Sequence, residues 1–536
     1  LVSTDLRDLI KSYSNLADAI IRDEYGTGGT DSTVFVLEMR NTPIFREYHQ
    51  WYRLRDPKIL KYVLSFLRFG KKLNYEDDDL NAIAFRDWQG VEKRLSELEL
   101  DEGVTASLRN VLAALPKLTN GTLLPKFGSG KVAERGLVTV ADKLNMLGRD
   151  RKLRFAFERS GSFNRGPEQG FKTLVFFDDT KTCRPVSRLK FVPKDISKSR
   201  SICMEPNAFM FLQQEVWRWM KGGINRSLLG QFIHLDDQAL SREAALHGST
   251  YLGTDTIDLS SASDSVSVEL VRRVFPRDWL FYMMATRTSR VEVPDGSLVD
   301  VHKFAPMGSA VCFPTQCLIF TAVCIYAGWL TRFGRPVGTI LTTEAAIAEM
   351  RFGYHSRRGP NTPFTRRYEP PLVFGDDIAV DSRTTDVVID LLTKLGFQVN
   401  TKKSFRGSQN FREACGIFAF AGEDVTPVTF RLPFIREGRR LDAKQYAALI
   451  ENINNFGDQG YNNLATYWLK LLSAVIGERA RLPFVENRDR FGIFTTRKKL
   501  PPLAVLRWNA DLQIGEERVL GIALRKRNAT AVNADE

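Results

Sequence analysis

Apolar residues recur at helical spacing from the start of the chain. Leu6, Leu9, Ile10, Tyr13, Leu16 and Ile20 fall on one face of an amphipathic helix. Residues 1–120 read mainly as helices with acidic and basic faces. Residues 121–250 mix loops, basic clusters and a helix around Met210 to Met220. The strand signals concentrate in residues 251–430, where short apolar runs replace the helical period. Helical spacing returns over 431–520, as in Ala443 to Ile450 and Leu464 to Ile476. The polar tail after Leu524 reads as frayed.

One stretch departs from this alternation. Phe304 to Leu330 carries no charge, and that length would span a bilayer. Pro314, Thr315, Gln316 and three cysteines interrupt it, Gly308 and Ser309 give it a turn-like start, and no second span accompanies it. The pattern predicts a helix buried in a large protein, with a functional loop at its N-terminal end. No membrane partner is expected.

Composition sets the frame for these elements. At 536 residues and 43% apolar content, the chain exceeds one ordinary core and predicts several subdomains. A formal net charge of +13 favours polyanionic partners, or simply a soluble surface. The six cysteines form no C-x-x-C pair and have no histidine at ligand spacing. Neither a zinc site nor a disulfide framework is expected, and a reducing cytosol fits. The first residues lack the basic start and apolar stretch of a secretory signal. The cluster Tyr75 to Asp79 reads as a solvated acidic surface.

The candidate chemistry centres on Gly375-Asp376-Asp377, flanked by the apolar runs Leu372 to Phe374 and Ile378 to Val380. The spacing predicts a β-hairpin with two carboxylates at its tip. Adjacent carboxylates repel, and a divalent cation is their natural counter-charge. The plain alternative is a polar turn. A second pair, Asp178 and Asp179, has no following apolar strand and reads as a strand end. Upstream, Asp258 follows the short run Thr256-Ile257, and small polar residues lead on from it to Asp264. If the strands are neighbours, Asp258 can share metals with Asp376 and Asp377. Two ions so held would activate a 3′-hydroxyl and stabilise a leaving pyrophosphate. Otherwise Asp258 is a helix-entry acid.

The order of motifs carries a resemblance. Asp258 to Asp264, then Pro306-Met307-Gly308-Ser309, then Phe374 to Asp377, then Gly396 to Phe405, then Phe411 to Gly416 and Asp424 to Pro427, closely resemble the replicase catalytic subunit of the single-stranded RNA bacteriophages. Narnavirus and mitovirus polymerases match less well. The resemblance covers roughly residues 190–431. It implies an α+β right-hand polymerase with fingers, palm and thumb. The N-terminal region and fingers would occupy 1–250, with a fingers insertion at 276–303. The palm would comprise 251–275, 304–335 and 371–431. An Arg-rich insert would fill 336–370, and the thumb and tail 432–536.

The resemblance also implies roles. Asp258, Asp376 and Asp377 would hold two Mg²⁺ ions, with Mn²⁺ as a possible substitute. Lys194, Lys198 and Arg200 would neutralise the triphosphate, and Asp264 would recognise the 2′-hydroxyl of the ribose. Gly308 and Ser309 would form a flexible loop near the ribose or template. Lys402 would protonate pyrophosphate, with its neighbour Lys403 an open alternative. Each has a structural reading too: a basic loop, a solvated helix acid, a turn with an N-cap, a surface lysine. Two departures stand out: Phe374 replaces the common tyrosine, and the insert, where Arg351, Arg357, Arg358, Arg366 and Arg367 interleave with Phe352, Tyr354 and Phe364, looks long. That mixture suits phosphates and bases as well as it suits a surface loop.

The implied activity is template-directed RNA synthesis from NTPs on an RNA template, primer-independent, in the cytoplasm of an infected bacterial host. Implied partners are the elongation factors Tu and Ts and a ribosomal small-subunit RNA-binding protein. A reverse transcriptase would place an aromatic gate near Asp258, and Leu259 to Asp264 contains none. A basic RNA-binding or nucleocapsid protein explains the charge but not the ordered acidic motifs.

Overall fold

The computed structural model describes residues 4–22, 42–73, 77–117, 127–128, 130–149, 186–357, 371–431, 441–476, 482–486, 491–494, 507–509 and 514–516. It mixes helix and sheet, and the uncharged run of the sequence is its axis. Cys312–Phe333 forms one helix. It has the length and apolarity of a membrane span, yet 83% of its most apolar window is buried inside the protein. Leu318, Phe320, Val323 and Tyr326 are fully buried. The helices Glu102–Leu112, Thr343–Arg357 and Thr385–Lys394 pack around it. A helix apolar all round is explained by neighbours on every side.

Three sheets matter for the site. In the first, β1 (Val186–Asp195) and β2 (Lys198–Met204) form an antiparallel hairpin. Strands β5 (Arg290–Glu292) and β6 (Leu298–Asp300) extend it, in the order β2-β1-β5-β6. Two regions far apart in sequence thus share one sheet. The second sheet has β8 (Asp377–Asp381) in the middle, antiparallel to both β3 (Thr254–Ile257) and β7 (Leu372–Phe374). All four residues of β3 are buried. The third joins β10 (Phe411–Ala414), β11 (Ile417–Phe420) and β12 (Glu423–Asp424). A two-stranded pair, β4 (Leu259–Ser260) and β9 (Gln398–Val399), continues from β3.

The buried side of this assembly holds a charge pair. Arg412 is fully buried and its guanidinium meets Asp255 at 3.1 Å. It also donates to the carbonyls of Thr254 (2.6 Å), Gln409 (2.6 Å) and Phe411 (2.8 Å). Asp255 in turn accepts from Ser382 and Thr385, each at 2.8 Å, and from the Gly407 amide at 3.1 Å. A buried ion pair is tolerable only when its remaining polar atoms are satisfied in this way.

The N-terminal helix is present as Thr4–Ile21. With Pro43–Leu54 and Pro57–Arg68 it builds a second core that includes Phe405, Phe411 and Phe418 from the far end of the chain. The helix foreseen around Met210 to Met220 runs from Asn207 to Arg226. The C-terminal helices run longer at one end than expected, Ala443–Asp458 and Asn462–Ile476, and pack with Phe430 and Phe456 in a third core.

Two surface expectations change. Asp77 is not simply solvated: it caps the Asp78–Ser96 helix by accepting from the Asp79 amide at 2.8 Å, and it pairs with Arg7. The first half of the insert is helix, Thr343–Arg357, seated through the buried Ala346 and Met350. Arg358, Phe364, Arg366 and Arg367 lie outside the described residues, as do Asp178 and Asp179. The five described cysteines, Cys203, Cys312, Cys317, Cys324 and Cys415, are buried and free.

Candidate active site

The hairpin foreseen at Gly375-Asp376-Asp377 is formed: Phe374 pairs with Asp377 across the turn. Gly375 has φ of +66°, and a Cβ there would come within 2.7 Å of the Phe313 ring. Only glycine suits that backbone and that approach. The Gly375 amide also lies 3.1 Å from the Cys317 sulfur, so the tip is pressed onto the central helix. Next in the sheet, Ile257 pairs with Ile378. The register therefore brings Asp258, the residue after β3, beside Asp377. Three acidic residues from two distant segments thus stand at one sheet end.

Their electrostatics record this crowding. Burial first, then Asp376 and Asp258, push Asp377 up to about 7. Asp258 is also raised, chiefly by burial and with Asp376 contributing, against the pull of Lys403 and Asn400. The Asn400 amide donates to Asp258 Oδ2 at 2.7 Å, and the Asp258 backbone is fixed by the Ser404 hydroxyl at 3.1 Å. Asp376 itself is exposed.

Among the described residues, no group of three His, Cys, Asp or Glu side chains converges into a ready ligand set. The donor chemistry still suits Mg²⁺, which takes hard oxygens and is commonly held by one or two carboxylates with substrate phosphates supplying the rest.

Of the two lysines left open by the sequence, Lys402 is exposed, whereas Lys403 lies 3.3 Å from Glu413. Desolvation opposes the charge of Lys403, but Glu413, Asp258 and Asp377 outweigh it and raise its pKa. Glu413 and Asn400 were missed by sequence reasoning. Both stand in the motif runs, but their direction depends on how β10 and the 400–404 turn pack beside β3.

Lys194 occupies the irregular position where the β1–β2 register shifts, between Pro193 and Asp195. A bulge re-aims its side chain. Its pKa is lowered, by desolvation first and then by Arg200 and Lys403, while Asp258 opposes the shift. Lys198 and Arg200 follow on β2, both exposed.

Asp264 is not a solvated helix acid. It stands in a turn ahead of the Val268–Val274 helix and is 6% exposed. Ser201 of β2 donates to its Oδ2 at 3.2 Å. Burial raises its pKa, while Lys303, Ser201 and the Met307 amide lower it. Lys303 is completely buried over the Trp88 ring, 3.7 Å from its centroid, and meets Glu92 at 3.1 Å. Neither Lys303 nor Glu92 stood out in the sequence, because burial is what makes them unusual.

The loop before the central helix is clamped. Gly308 has φ of +124°, and a Cβ there would collide with the Cys203 carbonyl. The Cys203 amide donates to the Met307 carbonyl at 2.8 Å. Ser309 is buried; its hydroxyl and the Ala310 amide reach Gln213 Oε1 at 3.2 and 3.1 Å. The structure thus joins Gly308 and Asp264 to β2, the strand that bears Lys198 and Arg200, and ties Ser309 to the Asn207–Arg226 helix.

Residues 168–330 and 371–438 match the family model described as RNA replicase, beta-chain. They contain Asp258, Asp376 and Asp377, and the gap between them coincides with the Arg-rich insert. The RNA-directed RNA polymerase subunit beta of Enterobacteria phage SP is 32% identical over 243 residues, 45% of this chain and 35% of that protein. The subunit of the same name from Escherichia virus Qbeta is 31% identical over 248 residues, 46% of this chain and 36% of that protein. The chain thus spans little more than a third of the length of these replicase relatives. A crystal structure of the RNA-dependent RNA polymerase of a human picorbirnavirus aligns with a TM-score of 0.41 at 12% identity, over 81% of this chain and 82% of that one.

Proposed function

We propose that this chain is an RNA-directed RNA polymerase of an RNA phage replicase, copying a positive-strand RNA genome from NTPs. One observation carries the reading: within the replicase-matched residues, β3 and β8 bring Asp258 beside Asp376 and Asp377. In a right-hand arrangement the β3-β8-β7 sheet is palm, and the β2-β1-β5-β6 sheet, built from 186–204 and 290–300, is fingers.

Asp258, Asp376 and Asp377 would hold two Mg²⁺ ions, replaceable by Mn²⁺, which would polarise the attacking 3′-hydroxyl and the leaving pyrophosphate. The chain's own groups do the rest. Lys194, Lys198 and Arg200 bind the triphosphate. Asp264 accepts from the ribose 2′-hydroxyl once the loop at Gly308 and Ser309 lets it exchange its Ser201 contact. Lys403, held protonated by its carboxylate neighbours, delivers a proton to pyrophosphate; exposed Lys402 is the second candidate. Initiation is primer-independent. Elongation factors Tu and Ts and a ribosomal small-subunit RNA-binding protein are the host partners, in the cytoplasm of the infected bacterium.

RNA synthesis by the purified chain, with NTPs, Mg²⁺ and an RNA template, tests this beside Asp376→Asn. Template-length product from the wild type and at least about a hundredfold less from the variant is the expected outcome. Equal activity in both would move the catalytic centre elsewhere.

A further inference from the structure

A short 3-10 helix, Phe69–Lys72, lies outside the replicase-matched residues and outside every motif of the sequence. Its backbone is tied on two sides. The Lys71 carbonyl accepts from the Ile196 amide at 3.2 Å, at the tip of the β1–β2 hairpin. The Phe69 carbonyl accepts from the Phe430 amide at 2.8 Å, one residue before Arg431. The Phe69 ring stacks on Phe430 and Phe456, with centroids 5.6 and 5.9 Å apart. Lys71 and Lys72 are therefore held at a junction of three distant segments, facing neighbours that are also basic.

The charges there do not balance. Lys71, Lys72, Lys194, Lys198, Arg200 and Arg431 form no ion pair among the described residues. The nearby carboxylates are engaged. Asp195 is buried and accepts from the Ser197 amide and hydroxyl at 2.9 and 2.8 Å. Asp18 is bound by Arg68, and Glu413 by Lys403. Desolvation, then Arg68, with Lys403 also contributing, lowers Lys71 to about 8, against the opposing pull of Asp18 and Asp195. Lys72 is lowered too, by desolvation first, with Arg431, Lys403 and Arg200 contributing. These cations feel one another and feel Lys403, whose own neighbour is Asp258. Half-buried Lys71 and Lys72, set beside exposed Lys194, Arg200 and Arg431 and without counter-ions of their own, are unfavourable alone and favour a compact, highly charged anion. Lys71 and Lys72 are half-buried where three segments meet, and a polyphosphate concentrates more charge against such a small group of cations than one phosphodiester of an RNA backbone does.

We propose that Lys71 and Lys72, together with Lys194 and Arg200, form a polyphosphate-docking site on the fingers side of the acidic centre. Its ligand is the triphosphate of an entering NTP or the pyrophosphate that leaves. The assignment of the ligand rests on the polymerase reading; the anion site itself does not.

The test uses the full chain and the Lys71→Ala/Lys72→Ala double variant, with Lys58→Ala as an exposed charge control. Calorimetric binding of inorganic tripolyphosphate and of pyrophosphate is measured without RNA or Mg²⁺, and NTP kinetics and template affinity are measured separately. We expect the double variant to bind tripolyphosphate at least tenfold more weakly and to raise the NTP KM at least tenfold, with kcat and template affinity little changed. A rise confined to the pyrophosphate inhibition constant would identify the product as the ligand. Lys71→Arg/Lys72→Arg should restore binding, which separates loss of charge from loss of fold. Unchanged binding of both anions, or weaker template binding with an unchanged NTP KM, would overturn the proposal. Tripolyphosphate binding that depends on these lysines, in a chain that makes no RNA, would keep the site and remove the polymerase reading.

Discussion

Arg412 and Asp255 show how much of the site's rigidity lies in side chains that never touch a substrate. Their pair joins β3 to β10, and the buried Asp255 carboxylate also accepts from Ser382, Thr385 and the Gly407 amide. Removing one partner leaves the other charge buried and unpaired, which costs about 3–5 kcal/mol. We therefore expect Arg412→Met to lower the urea unfolding midpoint strongly. A variant as stable as wild type would mean that the pair contributes nothing net. In the sequence, Arg412 stood within a motif and Asp255 just before one, but nothing marked them as partners. Their separation along the chain hides a contact that only the packing of β10 against β3 creates.

At the scale of elements, the loop ahead of the central helix depends on a backbone no side chain can share. Gly308→Ala would place a Cβ against the Cys203 carbonyl at a positive φ. Strain of this kind costs about 1–3 kcal/mol, and the loop would relieve it by moving away from β2. We expect kcat/KM for NTP incorporation to fall by about tenfold or more while the thermal midpoint shifts little. Unimpaired incorporation by Gly308→Ala would show that the loop's fit to β2 is immaterial to the reaction. The hairpin at Gly375, the helices and the buried character of Cys312–Phe333 were legible from periodicity and turn residues. The clamp on the loop was not, because Gln213 and Cys203 reach it from elements outside the local pattern.

For the whole molecule, the acidic centre links stability to pH and to cations. Folding raises Asp377 to about 7 without metal, above the ordinary carboxylate value. Its protonated form is thus favoured by the fold: this contribution is fully present below about pH 4 and is lost as pH rises through about 7. A divalent cation requires the ionised form and reverses the penalty. We expect Mg²⁺ to raise the thermal midpoint by roughly 2 °C or more at pH 8, and by less at pH 5.5. Asp377→Asn should abolish most of that difference. A Mg²⁺ effect independent of pH and of Asp377 would place cation binding elsewhere.

Local chemistry determined what the sequence could say alone. Turn residues between apolar runs specify a hairpin, a charge-free stretch specifies a buried helix, and the order of acidic motifs specifies the resemblance, because each is a property of neighbours along the chain. Tertiary structure alone decided which side chains meet. It set Asp258 beside Asp377, turned Lys403 rather than Lys402 towards the carboxylates, buried Lys303 near Asp264, and drew Lys71 and Lys72 to the hairpin that carries Lys194. Those choices depend on strand register and on desolvation, and both arise only when distant segments pack.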